Sequence, residues 1–259
     1  MHAMPRRLES DKKGLNISMG ILDNAIGQIT DFLSRRSEGH QGTTFLYEGN
    51  CCRWPVGGNN NIVLAQDTGV ELGNPRQESL SLILWAEGIS QIKDGRITVI
   101  GPDLQESRGK SLPFAKIVMV AVHGFNEENT CDRWQEMDLL RFDIDLAGYM
   151  MRAVSQYQRE WSRVSHEAIE KGFSFSILGS TLMHKMKAKD YIDGVEILFV
   201  TESPAAVLEL REVANEAMAI IGALNRMNEE IEADCPTCDY RVVCDAVDGL
   251  REMHAARSR

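Results

Sequence analysis

No stretch of this chain is apolar over the roughly 18–20 residues that a bilayer-spanning helix needs, so no transmembrane segment is expected. The amino-terminal MHAMPRRLESDKKG is polar and charged, has no apolar run behind its two arginines, and is not read as a secretory signal. Positive charge is also short: 28 lysines and arginines face 38 acidic side chains, a formal net charge of −10. Nucleic-acid binding by counterion release needs a clustered basic surface, which this balance argues against. Six cysteines in 259 residues are too few and too unevenly spaced for a disulfide scaffold. They suit a reducing, cytoplasmic setting in which thiols can serve as metal ligands. No P-loop, G-x-G-x-x-G, G-x-S-x-G, His-x-x-x-His or His-Glu-x-x-His pattern occurs. Nucleotide-loop, serine-hydrolase and zinc-helix chemistry therefore have no support.

What is present is an ordinary soluble composition, long enough for one large domain or two small ones with a buried core. Leu22, Ile26, Ile29 and Leu33 recur at helical spacing, with Asn16 or Ser18 as candidate caps and Gly39 just past the end. A glycine- and asparagine-rich loop follows, broken by a short strand at Phe45–Tyr47. Ser79–Ala86 reads as a strand bounded by Gly73-Asn74-Pro75 and Gly88. Asp94-Gly95 is a tight-turn signal before the alternating Ile97 and Val99, and Phe114–Val122 is the continuous β-branched run of an interior strand. From about Glu128 to Lys171 the spacing of Trp134, Met137, Leu140 and Ile144, then of Tyr149, Val154, Trp161, Val164 and Ile169, predicts helix. A short helix over Thr181–Lys187 and a strand at Val195–Val200 come next. Ser203-Pro204, an N-cap with proline at the first helical position, then opens a long helix. The order predicts an α+β fold: a mostly antiparallel sheet packed with helices, and a long C-terminal helix followed by a Cys-rich tail. The expected division is 1–40 for the N-terminal tail and helix, 41–233 for the α+β domain, and 234–259 for the tail.

Gly69–Leu104 carries a resemblance. An acidic/glycine turn precedes a strand ending in Val99-Ile100-Gly101-Pro102-Asp103. KSLPFAKIVMVAV, Trp161-Ser162-Arg163-Val164-Ser165, Lys171-Gly172-Phe173 and HKMKAKDYIDGVEILFVTE follow in the same order. Over residues 69–231, with a weaker match that starts at about 40, the chain resembles the middle domain of the beta subunit of carbon monoxide dehydrogenase/acetyl-CoA synthase. In that family a C-terminal domain supplies the ligands of the nickel–iron–sulfur A-cluster: four cysteines hold a [4Fe–4S] cube, and a Cys-Gly-Cys motif holds the distal nickel. No Cys-Gly-Cys occurs here, and the sequence ends at Arg259. The resemblance thus implies a scaffold without acetyl-CoA synthase activity of its own.

Cys235-Pro-Thr-Cys238-Asp-Tyr-Arg-Val-Val-Cys244 lies where the family's first cluster cysteines begin. Cys235 and Cys238 match its C-x₂-C, whereas Cys244 departs from the spacing of its third ligand. A C-x₂-C pair wraps one metal centre with two thiolates, and a third thiolate a few residues on closes one face. With Cys131 as possible fourth ligand this set suits an iron–sulfur cluster of the [4Fe–4S] type. Cys51, Cys52, His254 or a partner protein could instead supply that ligand. Zinc is the alternative metal, and three cysteines that bind nothing is the plain alternative to both. Cys131 also reads as a small core residue.

Arg152, Arg159 and Arg163 could project from one helical region toward a phosphate-bearing ligand such as CoA, since guanidinium groups match phosphate geometry. The alternative is a solvated face paired with Glu160 and Glu167. Of three functional readings the first is favoured, since it accounts for both the kept cysteines and the missing nickel motif, and the other two are its alternatives. The first is an iron–sulfur-binding accessory protein of CO/acetyl-CoA (C1) metabolism that docks on CO dehydrogenase, corrinoid or methyltransferase proteins. Another is one subunit of a split CO dehydrogenase/acetyl-CoA synthase. The last is a metal-free CoA-binding or protein-docking module.

Overall fold

The structure is a computed structural model that describes residues 20–38, 42–47, 53–58, 68–107, 111–126, 128–155, 158–229 and 239–247. Apolar residues at helical spacing build α1 (Asp23–Glu38), which buries Ala25, Ile26, Ile29, Phe32 and Leu33. Its expected caps, Asn16, Ser18 and Gly39, lie outside the described residues. The strands β1 (Gly42–Leu46), β2 (Gly69–Leu72), β3 (Ser79–Glu87), β4 (Arg96–Ile100), β5 (Ser111–Leu112) and β6 (Phe114–Val122) follow. After them come α2 (Thr130–Leu139), β7 (Tyr149–Val154), β8 (Glu160–Ser165), α3 (His166–Glu170), α4 (Phe175–Lys187), β9 (Ile192–Val200), α5 (Pro204–Glu229) and α6 (Arg241–Ala246). No helix of the described residues is long and apolar enough to cross a membrane.

The strands form two sheets, a large one in the order β1-β4-β9-β6-β3 and a small one in the order β5-β2-β8-β7. The fold is α+β, and both sheets are mixed: four of the seven strand pairings are antiparallel. All nine residues of β6 are buried, as a continuous apolar run requires of an interior strand. β3 is outermost in its sheet yet buried along eight of its nine residues. Its outer side is covered: the Ser81 amide donates to the Gln158 carbonyl at 2.7 Å, and Arg211 of α5 donates to the Ser79 carbonyl at 2.8 Å. That cover removes the open edge that would otherwise template aggregation. α4 lies on β4 and β9, where Phe175 stacks on Phe199 with ring centres 5.1 Å apart, and both stack on Phe114. Ser203 caps α5 through its hydroxyl, which accepts from the Ala206 amide at 3.2 Å, and Pro204 stands at the first helical position.

One expectation is overturned. The helix expected through Tyr149–Val164 is instead the β7–β8 hairpin of the small sheet. Its turn, Ser155–Arg159, contains no glycine, proline, asparagine or aspartate. The chain reverses there with Gln158 at φ 55° and the Ser155 amide bonded to the Arg159 carbonyl at 2.9 Å. On β8, Glu160, Ser162 and Arg163 are buried beside Val164, so polar residues occupy both faces of the strand. The alternation that marks a strand is erased, and the remaining apolar spacing mimics a helix.

Candidate functional site

The small sheet and the loop that leads to β3 border an open cavity of about 280 Å³ lined by Glu71, Asn74, Pro75, Arg76, Arg152, Trp161 and Arg163. Each wall has a local cause. Gly73 adopts φ 62°, and a side chain there would collide with Ser79 and, at 2.6 Å, with the Glu160 carbonyl oxygen. Only glycine lets the loop turn so close to β8. Asn74 then closes the turn, its Oδ1 accepting from the Arg76 amide at 2.9 Å. Opposite, the β7–β8 register slips between Met151 and Ala153, leaving Arg152 as the extra residue of a bulge. Its guanidinium carbon stands 4.7 Å from the centre of the Trp161 ring, a cation–π contact. The Trp161 indole N–H is a buried donor with no hydrogen-bond partner among the described residues.

Glu71 and Arg163 lie directly opposite each other on β2 and β8, and Arg163 donates to the Glu71 carboxylate in a buried ion pair. Asn74 Nδ2 donates to the other oxygen at 2.9 Å. Burial works to raise the Glu71 pKa, but the bonds from Arg163 and Asn74 and the charges of Arg163 and Arg152 outweigh it and hold the carboxyl below its ordinary value. Three guanidinium groups and one carboxylate leave the lining with a formal charge of +2, on a chain whose net charge is −10. Arg76 and Arg152 are exposed at the mouth and carry the surplus. The arrangement can hold an anionic group beside a flat indole face.

Of the three arginines singled out in the sequence, Arg152 and Arg163 meet in this cavity, from strands and not from a helix. Arg159 does not line it; it donates to the Gln77 carbonyl at 2.6 Å and ties the hairpin turn to the loop. Among the described residues, Glu160 and Glu167, the expected partners of this region, are engaged elsewhere. Glu160 pairs with Lys116 at 2.5 Å, and Glu167 with Lys171 at 2.6 Å. Sequence reasoning missed Glu71, Asn74 and Arg76, although Gly73-Asn74-Pro75 was visible as a strand boundary just before Arg76.

The cysteines are placed less fully. Cys235, Cys238, Cys51, Cys52 and His254 lie outside the described residues. Cys244 is a half-buried thiol on α6, which is held to α5 by the Tyr240 ring packed against Gly222. Cys131 is buried in the first turn of α2 and belongs to the core. Among the described residues no group of three or more His, Cys, Asp or Glu side chains could hold a metal ion.

The recurring motifs converge elsewhere. Val99, Gly101, Asp103 and Gly172 line a second cavity of about 290 Å³, together with Thr43 and Ser174. Asp103 Oδ1 accepts from the Leu104 amide at 2.6 Å and the Phe175 amide at 3.1 Å, capping α4. Burial raises its pKa against the two amide bonds.

These features define an α+β domain of two mixed sheets with a cationic cavity on the smaller one. Residues 58–206 match the CO dehydrogenase/acetyl-CoA synthase complex beta subunit family, and the chain belongs to that family. It is 29% identical over 179 residues to the acetyl-CoA decarbonylase/synthase complex subunit beta of Archaeoglobus fulgidus, covering 66% of this chain and 33% of that protein. It is 32% identical over 153 residues to the carbon monoxide dehydrogenase/acetyl-CoA synthase subunit alpha of Moorella thermoacetica, covering 58% and 20%. Subunit beta 2 of the Methanosarcina acetivorans complex is 29% identical over 164 residues, covering 62% and 33%. The chain thus spans a third or less of the length of these relatives.

Proposed function

We propose that this chain is a CoA-binding member of the family, serving CO/acetyl-CoA metabolism by holding the phosphates of CoA at the Arg76–Arg152 mouth, and not by making acetyl-CoA. The single observation that supports it is the cationic cavity on an otherwise acidic chain, with the Trp161 face and an unmatched indole donor beside it. The sequence contains no Cys-Gly-Cys, so the reading assigns no nickel chemistry to these residues. The proposed partners are CO dehydrogenase, corrinoid or methyltransferase proteins, by family membership. Titrating CoA into the 259-residue protein should give a saturable heat that weakens as salt screens the exposed arginines. No heat at about millimolar CoA, the weak end of specific binding, removes this reading.

An iron–sulfur role is a second, separable proposal, favoured by the Cys235, Cys238 and Cys244 spacing and by the seat that Tyr240 and Gly222 make for α6. Three local thiolates suit one face of a [4Fe–4S] cube and suit zinc less specifically. Anaerobically purified protein should carry iron and acid-labile sulfide and lose both in Cys235→Ser. Zinc without sulfide would reassign the site, and a metal content unchanged by the substitution would remove it.

A further inference from the structure

The small sheet carries the cavity on one face and a buried charge pair on the other. Along β8, Trp161 and Arg163 face the cavity while Glu160 and Ser162 turn toward the large sheet, as strand alternation dictates. Lys116 is the one polar residue in the middle of β6, FAKIVMVAV. Its Nζ reaches the fully buried Glu160 carboxylate at 2.5 Å. The second carboxylate oxygen accepts from Ser162 Oγ at 3.1 Å, and Tyr149 Oη lies 3.1 Å from that same hydroxyl. The Glu160 backbone is gripped as well. Ser79 Oγ donates to its carbonyl at 2.7 Å and accepts from its amide at 2.9 Å. Ser79 begins β3 and directly follows the loop that forms the other cavity wall. The two walls, loop and hairpin, are therefore joined at Ser79 and Glu160, and Lys116 anchors that joint to the interior strand of the large sheet.

A buried ion pair is a poor source of net stability, because desolvation offsets the Coulomb attraction. Its use here is geometric, since any other seat for β8 would strand a charge. We propose that Lys116, acting through Glu160 and Ser79, is a positioning residue that sets the separation of the cavity walls and thereby the affinity for CoA. The affinity arm rests on the CoA reading above; the structural arm does not.

The test uses the full chain with Lys116→Met/Glu160→Gln, which removes both charges, shortens position 116 by one atom, and leaves an acceptor for Ser162. The variant should melt close to the wild type and bind CoA about tenfold more weakly, as expected when binding groups are misplaced. Its backbone amides at 73–78 and 149–165 should exchange hydrogen faster, while β6 and β9 stay protected. Lys116→Arg with Glu160 kept, which preserves the charge pair, should retain both readouts of the wild type. A folded double variant with wild-type affinity and unchanged hairpin exchange overturns the proposal. If the wild type takes no CoA, the ligand reading falls alone and the hairpin exchange decides the positioning role. If the double variant does not fold, Ser79→Ala is read in the same way, with unchanged exchange again counting against the joint.

Discussion

Lys116→Met alone should destabilise the fold by about 3–5 kcal/mol, the cost of leaving a buried carboxylate without its partner. Glu160 is completely buried. Burial opposes its charge, and Lys116, through both charge and hydrogen bond, leads the groups that nevertheless hold its pKa below the ordinary 4.5. In the wild type, a carboxyl depressed in the folded state contributes stability above about pH 4.5, and that contribution is lost as the pH falls through the lower folded value. Removing Lys116 inverts the sign. Burial then dominates, the folded-state pKa rises above the unfolded one, and stability is lost as the pH rises instead. Denaturant unfolding at pH 5 and pH 8 should therefore show a wild type no less stable at pH 8 and a variant clearly weaker there. A loss under about 1 kcal/mol with no pH dependence, the behaviour of a surface pair, would show that the charge pair is solvated. Comparison with the uncharged double variant separates the stranded charge from the lost attraction.

Replacing both Arg76 and Arg152 with alanine should weaken CoA binding by about 10²-fold, taking charge-assisted hydrogen bonds at about 1.5 kcal/mol each and ten-fold per 1.4 kcal/mol. Both side chains are exposed, so the fold should be unaffected. Arg163 is a poor target for the same question, because its loss would strand the buried Glu71 carboxylate. Arg159→Ala is the informative control. Sequence spacing groups it with Arg152 and Arg163, whereas its bond to the Gln77 carbonyl makes it a tether. Calorimetry should show a large loss for the Arg76/Arg152 pair and a smaller one, no more than the roughly tenfold expected of a displaced wall, for the half-buried Arg159, which tethers the loop without lining the cavity. Equal losses for the two would mean that general charge, and not this cavity, attracts the ligand.

Much of the fold was legible because its signals are local. The uninterrupted apolar run of β6, the turn at Asp94-Gly95 before β4, and Ser203-Pro204 at the start of α5 each depend on a few neighbouring residues. The hairpin was not legible, because Glu160 and Arg163 are buried only by virtue of Lys116 and Glu71, which lie 44 and 92 residues away in sequence. The same distance effect scattered the cavity. Arg152 and Arg163 looked like a helical pair, and Arg76 sat unnoticed in a turn until β2 paired with β8. β2 and β5 are short, with four and two residues, and carry too little pattern to be read alone.

Taken alone, the amino-acid order determined the family motifs, the interior strands, the long helix and the cysteine spacing, because each is written in contiguous residues. Tertiary structure alone decided which strands are neighbours, where polar side chains could be buried, and that two arginines from a hairpin meet a third from a loop. Those outcomes depend on charges and hydrogen bonds completed across the chain, which no local window contains.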